Sequence, residues 1–191
     1  LLVLPSARLC TGTRDSGCPR GEVAPAAQFS GLFGVNQRFA VGAAASLALT
    51  PFSRVPADPE GVEREHARVY LMADMVGRMN LLVYPNYRGF LLASTGLVVI
   101  SDTYRSLRGV TDRALVGPRG VTLRTEGFGV GVGFGIETWL SSLTTLGGKI
   151  HSGLWLLPSE RATDALGDHA SMSGVNSFVM VTLGVGLSND F

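Results

Sequence analysis

The sequence predicts an all-β fold, an eight-stranded antiparallel up-and-down barrel that crosses a membrane. Three observations predict it. Apolar residues recur with a period of two along most of the chain, which is the side-chain period of a strand. The composition is apolar, with 16% charged residues and a mean hydropathy of +0.27, whereas soluble domains carry roughly 25% charge. Yet no apolar run is long enough for a spanning helix. The nearest, GFLLASTGLVVI (89–100), is too short and is broken by Ser, Thr and Gly. Finally, short and long connections alternate, the loop layout of a barrel with tight turns at one membrane face.

A length of 191 residues fits a single domain, residues 1–191. The net charge of +1 gives no push toward nucleic acid. The first strand is LLVLPSARLC (1–10). It is assigned by parity, because the later runs supply seven strands and an even count returns both termini to the periplasmic face. Its opening LLVLPSA lacks the basic region of a complete signal peptide. The polar stretch CTGTRDSGC follows. Read as a disulfide, Cys10 and Cys18 imply an oxidising compartment; the alternative is two unrelated thiols.

AAQFSGLFG (26–34) is an apolar strand of weak alternation, as is RGFLLASTGLVVIS (88–101). RFAVGAAASLALT (38–50) sets Phe39, Val41, Ala43, Ala45, Leu47 and Leu49 on one face. VYLMADMVGRMNLLVY (69–84) sets Leu71, Met75, Met79 and Leu81 against Tyr70, Asp74, Arg78 and Asn80. In GFGVGVGFGIETW (127–139), Phe128, Val130, Val132, Phe134 and Ile136 oppose a glycine row and Glu137. TLGGKIHSGLWLL (145–157) puts Lys149 and His151 opposite Ile150, Leu154 and Leu156. FVMVTLGVGLSNDF (178–191) ends the chain with Val179, Val181, Leu183, Val185 and Leu187 on one face. Many of these runs reach the about 9 to 11 residues a tilted strand needs to cross a bilayer.

The short connections are GVNQ (34–37), PNY (85–87) and SSLT (141–144); the long ones are 10–22, 51–66, 102–125 and 158–175. Aromatic residues gather at both strand ends. Phe33, Phe39, Tyr84, Tyr87, Phe90, Trp139 and Phe191 flank the short turns or the C-terminus, and Phe52, Tyr70, Tyr104, Phe128, Trp155 and Phe178 lie near the long loops. Two interfacial aromatic belts are expected from this.

The C-terminal alternating strand ending in Phe191, the turn-then-strand GVNQRFAVGA and the long-short loop rhythm together resemble the small OmpA/OmpX-type bacterial outer-membrane β-barrels. The resemblance implies a bacterial outer-membrane location with a periplasmic C-terminus. It also implies that Leu187 and Phe191 belong to a terminal signal for the barrel-assembly machinery. Outer-membrane lipid and lipopolysaccharide would be the surroundings, and other envelope proteins are possible partners.

The inward polar set is Asp74, Arg78, Asn80, Glu137, Lys149 and His151. Eight strands leave an interior just wide enough for side chains to fill, so these charges are expected to pair, Arg78 with Glu137 or another carboxylate and Asp74 with Lys149 or a second base. The glycine row is expected to leave room for Arg78 or Lys149 to lie across it. An open channel is then excluded, and the expected role is structural anchoring or surface interaction through the long loops, with no catalysis.

Two alternatives are weighed. His169-Ala170-Ser171 resembles the H-x-S stretch of outer-membrane lipid A deacylases, but no glutamate follows Ser171. A soluble lipocalin-type barrel would invert the faces. The cysteines and histidines show no metal-ligand spacing, so neither a metal nor a cofactor is expected. His66 and the arginines of TYRSLRGVTDR fall in long loops, where they could meet lipopolysaccharide phosphates.

Overall fold

The computed structural model describes residues 1–10, 18–50, 53–55, 64–106, 121–163 and 169–187. Period-two alternation becomes strand throughout. Among the described residues ten strands form in chain order: β1 (Leu2–Arg8), β2 (Arg20–Ala24), β3 (Ala26–Gly34), β4 (Phe39–Leu49), β5 (Ser53–Val55), β6 (Arg64–Val83), β7 (Tyr87–Ser106), β8 (Val121–Trp139), β9 (Thr144–Leu156) and β10 (Val175–Leu187). All pair antiparallel in one sheet, in the order β2-β1-β10-β9-β8-β7-β6-β4-β3, with β5 joined to β6 off this path. The path is open, because no ladder joins β2 to β3.

The eight expected strands are therefore redistributed. Residues 20–24, of which 20–22 belong to the expected loop 10–22, pair with β1, and Pro25 separates them from β3. A proline has no N–H to give to a ladder, so it marks the place where pairing switches from β1 on one edge to β4 on the other. Strands β6, β7 and β8 also run well into the expected loops 51–66 and 102–125. In those segments the β6–β7 ladder reaches Arg64↔Ser106 and the β7–β8 ladder reaches Tyr104↔Val121.

The faces divide as the alternation predicts. Val130, Val132, Phe134 and Ile136 are exposed on β8, as are Leu183, Val185 and Leu187 on β10 and Phe29 and Phe33 on β3. Outward positions stay free of charge until Arg124 and Glu126 on β8, beyond Phe128.

Inside, the sheet encloses an apolar cluster: Leu2, Leu4, Tyr70, Met72, Val98, Ile100, Trp155, Met172, Phe178 and Met180. This corrects the expected aromatic belt near the long loops. Tyr70, Tyr104, Trp155 and Phe178 are buried inside, and Phe128 faces outward. Their parity decides it: Tyr70 pairs with Ile100, Trp155 with Asn176 and Phe178 with Gly153, all on the inward face. At the short turns, Phe33, Phe39, Tyr84 and Tyr87 are exposed, whereas Phe90 points inward. Phe52 and Phe191 lie outside the described residues.

Candidate functional site

Polar side chains enter the interior at two ends of that apolar cluster. Toward the short turns, Arg78 and Asn80 come from β6, Arg88 and Phe90 from β7, and Glu137 from β8. Register assembles them, since Arg88 pairs with Glu137 and Asn80 with Phe90. Arg78 donates from Nη1 and Nη2 to Glu137 Oε2 and Oε1 at 3.0 and 2.5 Å, and from Nε to Asn80 Oδ1 at 2.9 Å. This fork matches the carboxylate plane. The guanidinium also lies 3.9 Å from the Phe90 ring centre, within cation–π range. Arg88 Nη1 approaches the same Glu137 Oε1 at 3.7 Å. Asn80 Nδ2 donates to Gln37 O at 3.0 Å and ties the network to the first turn.

Midway along the interior, Asp74 and Lys149 interact electrostatically, and no ion pair joins them within 4.0 Å among the described residues. His151 Nε2 lies 3.0 Å from Ser94 Oγ, and its ring meets Phe178 edge-on at 5.2 Å. The glycine row serves different neighbours from those expected. A Cβ at Gly131 would stand 2.3 Å from His151 Nε2, and one at Gly135 would stand 2.4 Å from Phe90 Cζ. The row makes room for His151 and Phe90, and Arg78 lies over the Phe90 ring.

Toward the long loops lies a second network. Asp102 on β7 is fully buried and gathers four donors. Oδ1 accepts from His66 Nε2 at 2.7 Å and from Arg68 Nε at 3.1 Å. Oδ2 accepts from the Ser171 amide at 2.9 Å and from Ser171 Oγ at 3.0 Å. Burial alone would raise the Asp102 pKa. The His66 hydrogen bond, the Arg68 charge and the Ser171 amide outweigh it and hold the carboxyl below its ordinary range. Arg68 Nη1 also donates to both oxygens of Glu22, at 2.7 and 2.8 Å, and Tyr70 OH donates to Glu22 Oε2. His66 stacks on Tyr104 at 4.6 Å, and Tyr104 OH donates to His169 O at 2.8 Å.

Serine, histidine and carboxylate thus converge, but in an order that does not suit nucleophilic catalysis. A hydrolytic triad needs the imidazole between the hydroxyl and the carboxylate. Here Asp102 stands between His66 and Ser171, and Ser171 is fully buried. His169 Nδ1 instead lies 2.9 Å from Thr163 Oγ1. The arrangement clasps the segment 169–172 onto β6 and β7. Cys10 N adds a bond to Ser171 O at 3.1 Å, and Cys10 is disulfide-bonded to Cys18 with Cα atoms 4.8 Å apart.

Of the sequence-predicted residues, Arg78, Asn80 and Glu137 come together; Asp74, Lys149 and His151 form a looser middle group. Leu187 is exposed at the end of β10. Glu22 and Asp102 escape the sequence reading because they fall in the expected loops 10–22 and 102–125, and Arg68 because it falls between the expected loop 51–66 and the expected strand 69–84. Their signal was present: His66, Arg68 and Tyr70 continue the parity of Asp74 and Arg78, and Asp102 continues that of Ile100. No family model matches this chain, and no curated protein matches it.

Proposed function

We propose that this protein is an integral outer-membrane β-barrel with a side-chain-filled interior. It serves as an anchor or surface-interaction module through its long-loop end and forms no open channel. One observation carries the reading, namely a continuous outward apolar band around a partly charged interior. On β6 that band runs from Leu71 to Val83. That is about 40 Å of strand, which the usual barrel tilt of about 40° reduces to about 30 Å of thickness, the depth of a hydrocarbon core.

Closure is supported by the chain itself. The ends of the ladder path, β2 and β3, are consecutive across Pro25, so residues 20–34 link β1 to β4 and bring eight chain segments into a ring. A filled interior is supported by the apolar cluster and by the two polar networks that flank it. A lipocalin-type solution would leave the outward face polar, and this one is lined with Val, Leu and Phe. The C-terminal strand then ends at the periplasmic face, where the barrel-assembly machinery would read it, and outer-membrane lipid and lipopolysaccharide surround the band.

Membrane fractionation followed by gel electrophoresis with and without boiling tests this. The expected result is sedimentation with the outer membrane and a faster-migrating unboiled band. Recovery in the soluble fraction without detergent would refute it.

A further inference from the structure

Two arginines face each other at the edge of the outward apolar surface. Arg8 on β1 pairs directly with Arg20 on β2. Leu9 N donates to Pro19 O at 3.0 Å, so Arg8↔Arg20 is the adjoining non-hydrogen-bonded pair, the kind that brings Cα atoms to about 4.5 Å and side chains closest. Both side chains are exposed, and like charges directly opposite each other destabilise a sheet. Neither guanidinium has a hydrogen bond or an ion pair to offset this among the described residues. Glu22, two residues from Arg20, is turned inward and holds Arg68 at 2.7 Å.

A backbone irregularity puts the pair on this face. Leu4 pairs with Glu22, and both point inward. Arg8 and Arg20 each stand an even number of residues further along, so a regular ladder would turn both inward as well. Instead the register shifts between Leu4 and Arg8, and Gly21 takes φ +80°, a left-handed conformation that glycine adopts without steric cost. Parity reverses as a result. Ala7 and Leu9 enter the apolar cluster, and Arg8 between them is exposed. Bulges re-aim side chains in this way.

We propose that Arg8 and Arg20 form a clamp for a phosphate group of an outer-leaflet lipid, lipopolysaccharide in the reading given above. Depth supports a lipid. Counted along both strands from Val3↔Val179, Arg8 falls just beyond the row Val175–Leu156–Phe128, where the outward apolar face of β8 gives way to Glu126 and Arg124. That is the headgroup level, and a phosphate there neutralises two charges that otherwise repel. Guanidinium forks match phosphate oxygens two at a time. On the same face, just toward the apolar band, Ser6 Oγ and Ser177 Oγ lie 2.6 Å apart and exposed, which offers a hydroxyl donor to a third oxygen. Beneath them Val175 and Val23 are 67% and 60% exposed, an apolar floor suited to the acyl chains that a lipid phosphate carries and a free phosphate does not.

The test titrates the folded chain, in an uncharged and phosphate-free detergent, with fluorescently labelled lipopolysaccharide. Wild type should bind it about tenfold more tightly than the same lipid stripped of its phosphates. Arg8→Gln and Arg20→Gln should each weaken binding about fivefold, and Arg8→Lys less, since lysine keeps the charge and loses the fork. Arg124→Gln, also beyond the apolar face but beside Glu126, should stay within about twofold of wild type. Unfolding midpoints give a second reading. Without lipid, Arg8→Gln should be at least as stable as wild type because the repulsion is gone; with lipopolysaccharide the order should reverse. Binding that ignores the phosphates, or survives unchanged in Arg8→Gln/Arg20→Gln, would overturn the proposal. Displacement of the lipid by millimolar inorganic phosphate would overturn it too, because the site would then take a free anion. A lipid occupant presupposes the membrane reading, so heat-modifiable migration is scored on the same samples: a chain that fails there refutes that reading, whereas a heat-modifiable barrel indifferent to lipid phosphate refutes the clamp alone.

Discussion

Glu137 should be the most sensitive residue of the short-turn network, more so than its principal partner. It receives the Arg78 fork at 2.5 and 3.0 Å, and Arg88 stands 3.7 Å away. Glu137→Gln leaves two guanidinium groups facing each other with no counter-charge. Both partners are nearly buried, Arg78 at 10% and Glu137 at 16% exposure, and breaking a buried pair costs about 3 to 5 kcal/mol. The residual exposure puts Glu137→Gln near the lower end, about 3 kcal/mol. Arg78→Met should cost less, about 1.5 kcal/mol, because Glu137 keeps Arg88 and the methionine still packs on Phe90. The double variant should cost less than the two single changes together, giving a coupling energy on the order of 2 kcal/mol. Urea unfolding in detergent micelles, followed by tryptophan fluorescence, measures all four corners. Trp139 beside Arg88 and Trp155 in the apolar cluster report on the site and the core. An Arg78→Met cost equal to that of Glu137→Gln, or coupling indistinguishable from zero, would refute the shared-carboxylate argument.

Three further outcomes are expected. Val132→Arg, on the outward face, should destabilise the inserted protein by about 2 to 4 kcal/mol, while Thr138→Arg near the band's edge should cost far less; equal effects in urea titrations from vesicles would count against the band. Cys10 and Cys18 should resist alkylation until reduced, and Cys10→Ser/Cys18→Ser should lower stability by about 2 to 3 kcal/mol, the closure entropy of so short a loop; free thiols recovered from cells under non-reducing, alkylating conditions would contradict this. Because the Asp102 carboxyl is held below its ordinary pKa, its contribution is complete above its unfolded value of about 3.9 and is lost as pH falls through the lower folded value. Unfolding midpoints should therefore drop below about pH 4, and Asp102→Asn should be weaker at pH 7 and show a flatter profile. A parallel profile in wild type and variant would remove Asp102 from the account.

How much of this was legible in the sequence follows from what each signal depends on. Alternation is local: a run such as GVGVGFGIE can hold only one face apolar if it is extended, so the all-β class, most strand positions and the inward parity of Arg78 and Glu137 could be read directly. Their meeting was a reasonable expectation because few carboxylates share that parity. The split at Pro25, the lengths of β6 to β8 and the open ladder path depend on which strand neighbours which, and no local pattern encodes a neighbour. The same holds for the interior. Tyr70, Trp155 and Phe178 have the aromatic character of interfacial anchors and the parity of core residues, and only packing against Met72 and Met180 shows that parity prevailed. Asp102, His66, Arg68 and Ser171 are scattered from 66 to 171 in sequence and were hidden in segments too polar to look like strand. Burying those polar groups is tolerable only once His66, Arg68 and Ser171 all bond Asp102, and that condition exists in the tertiary structure alone.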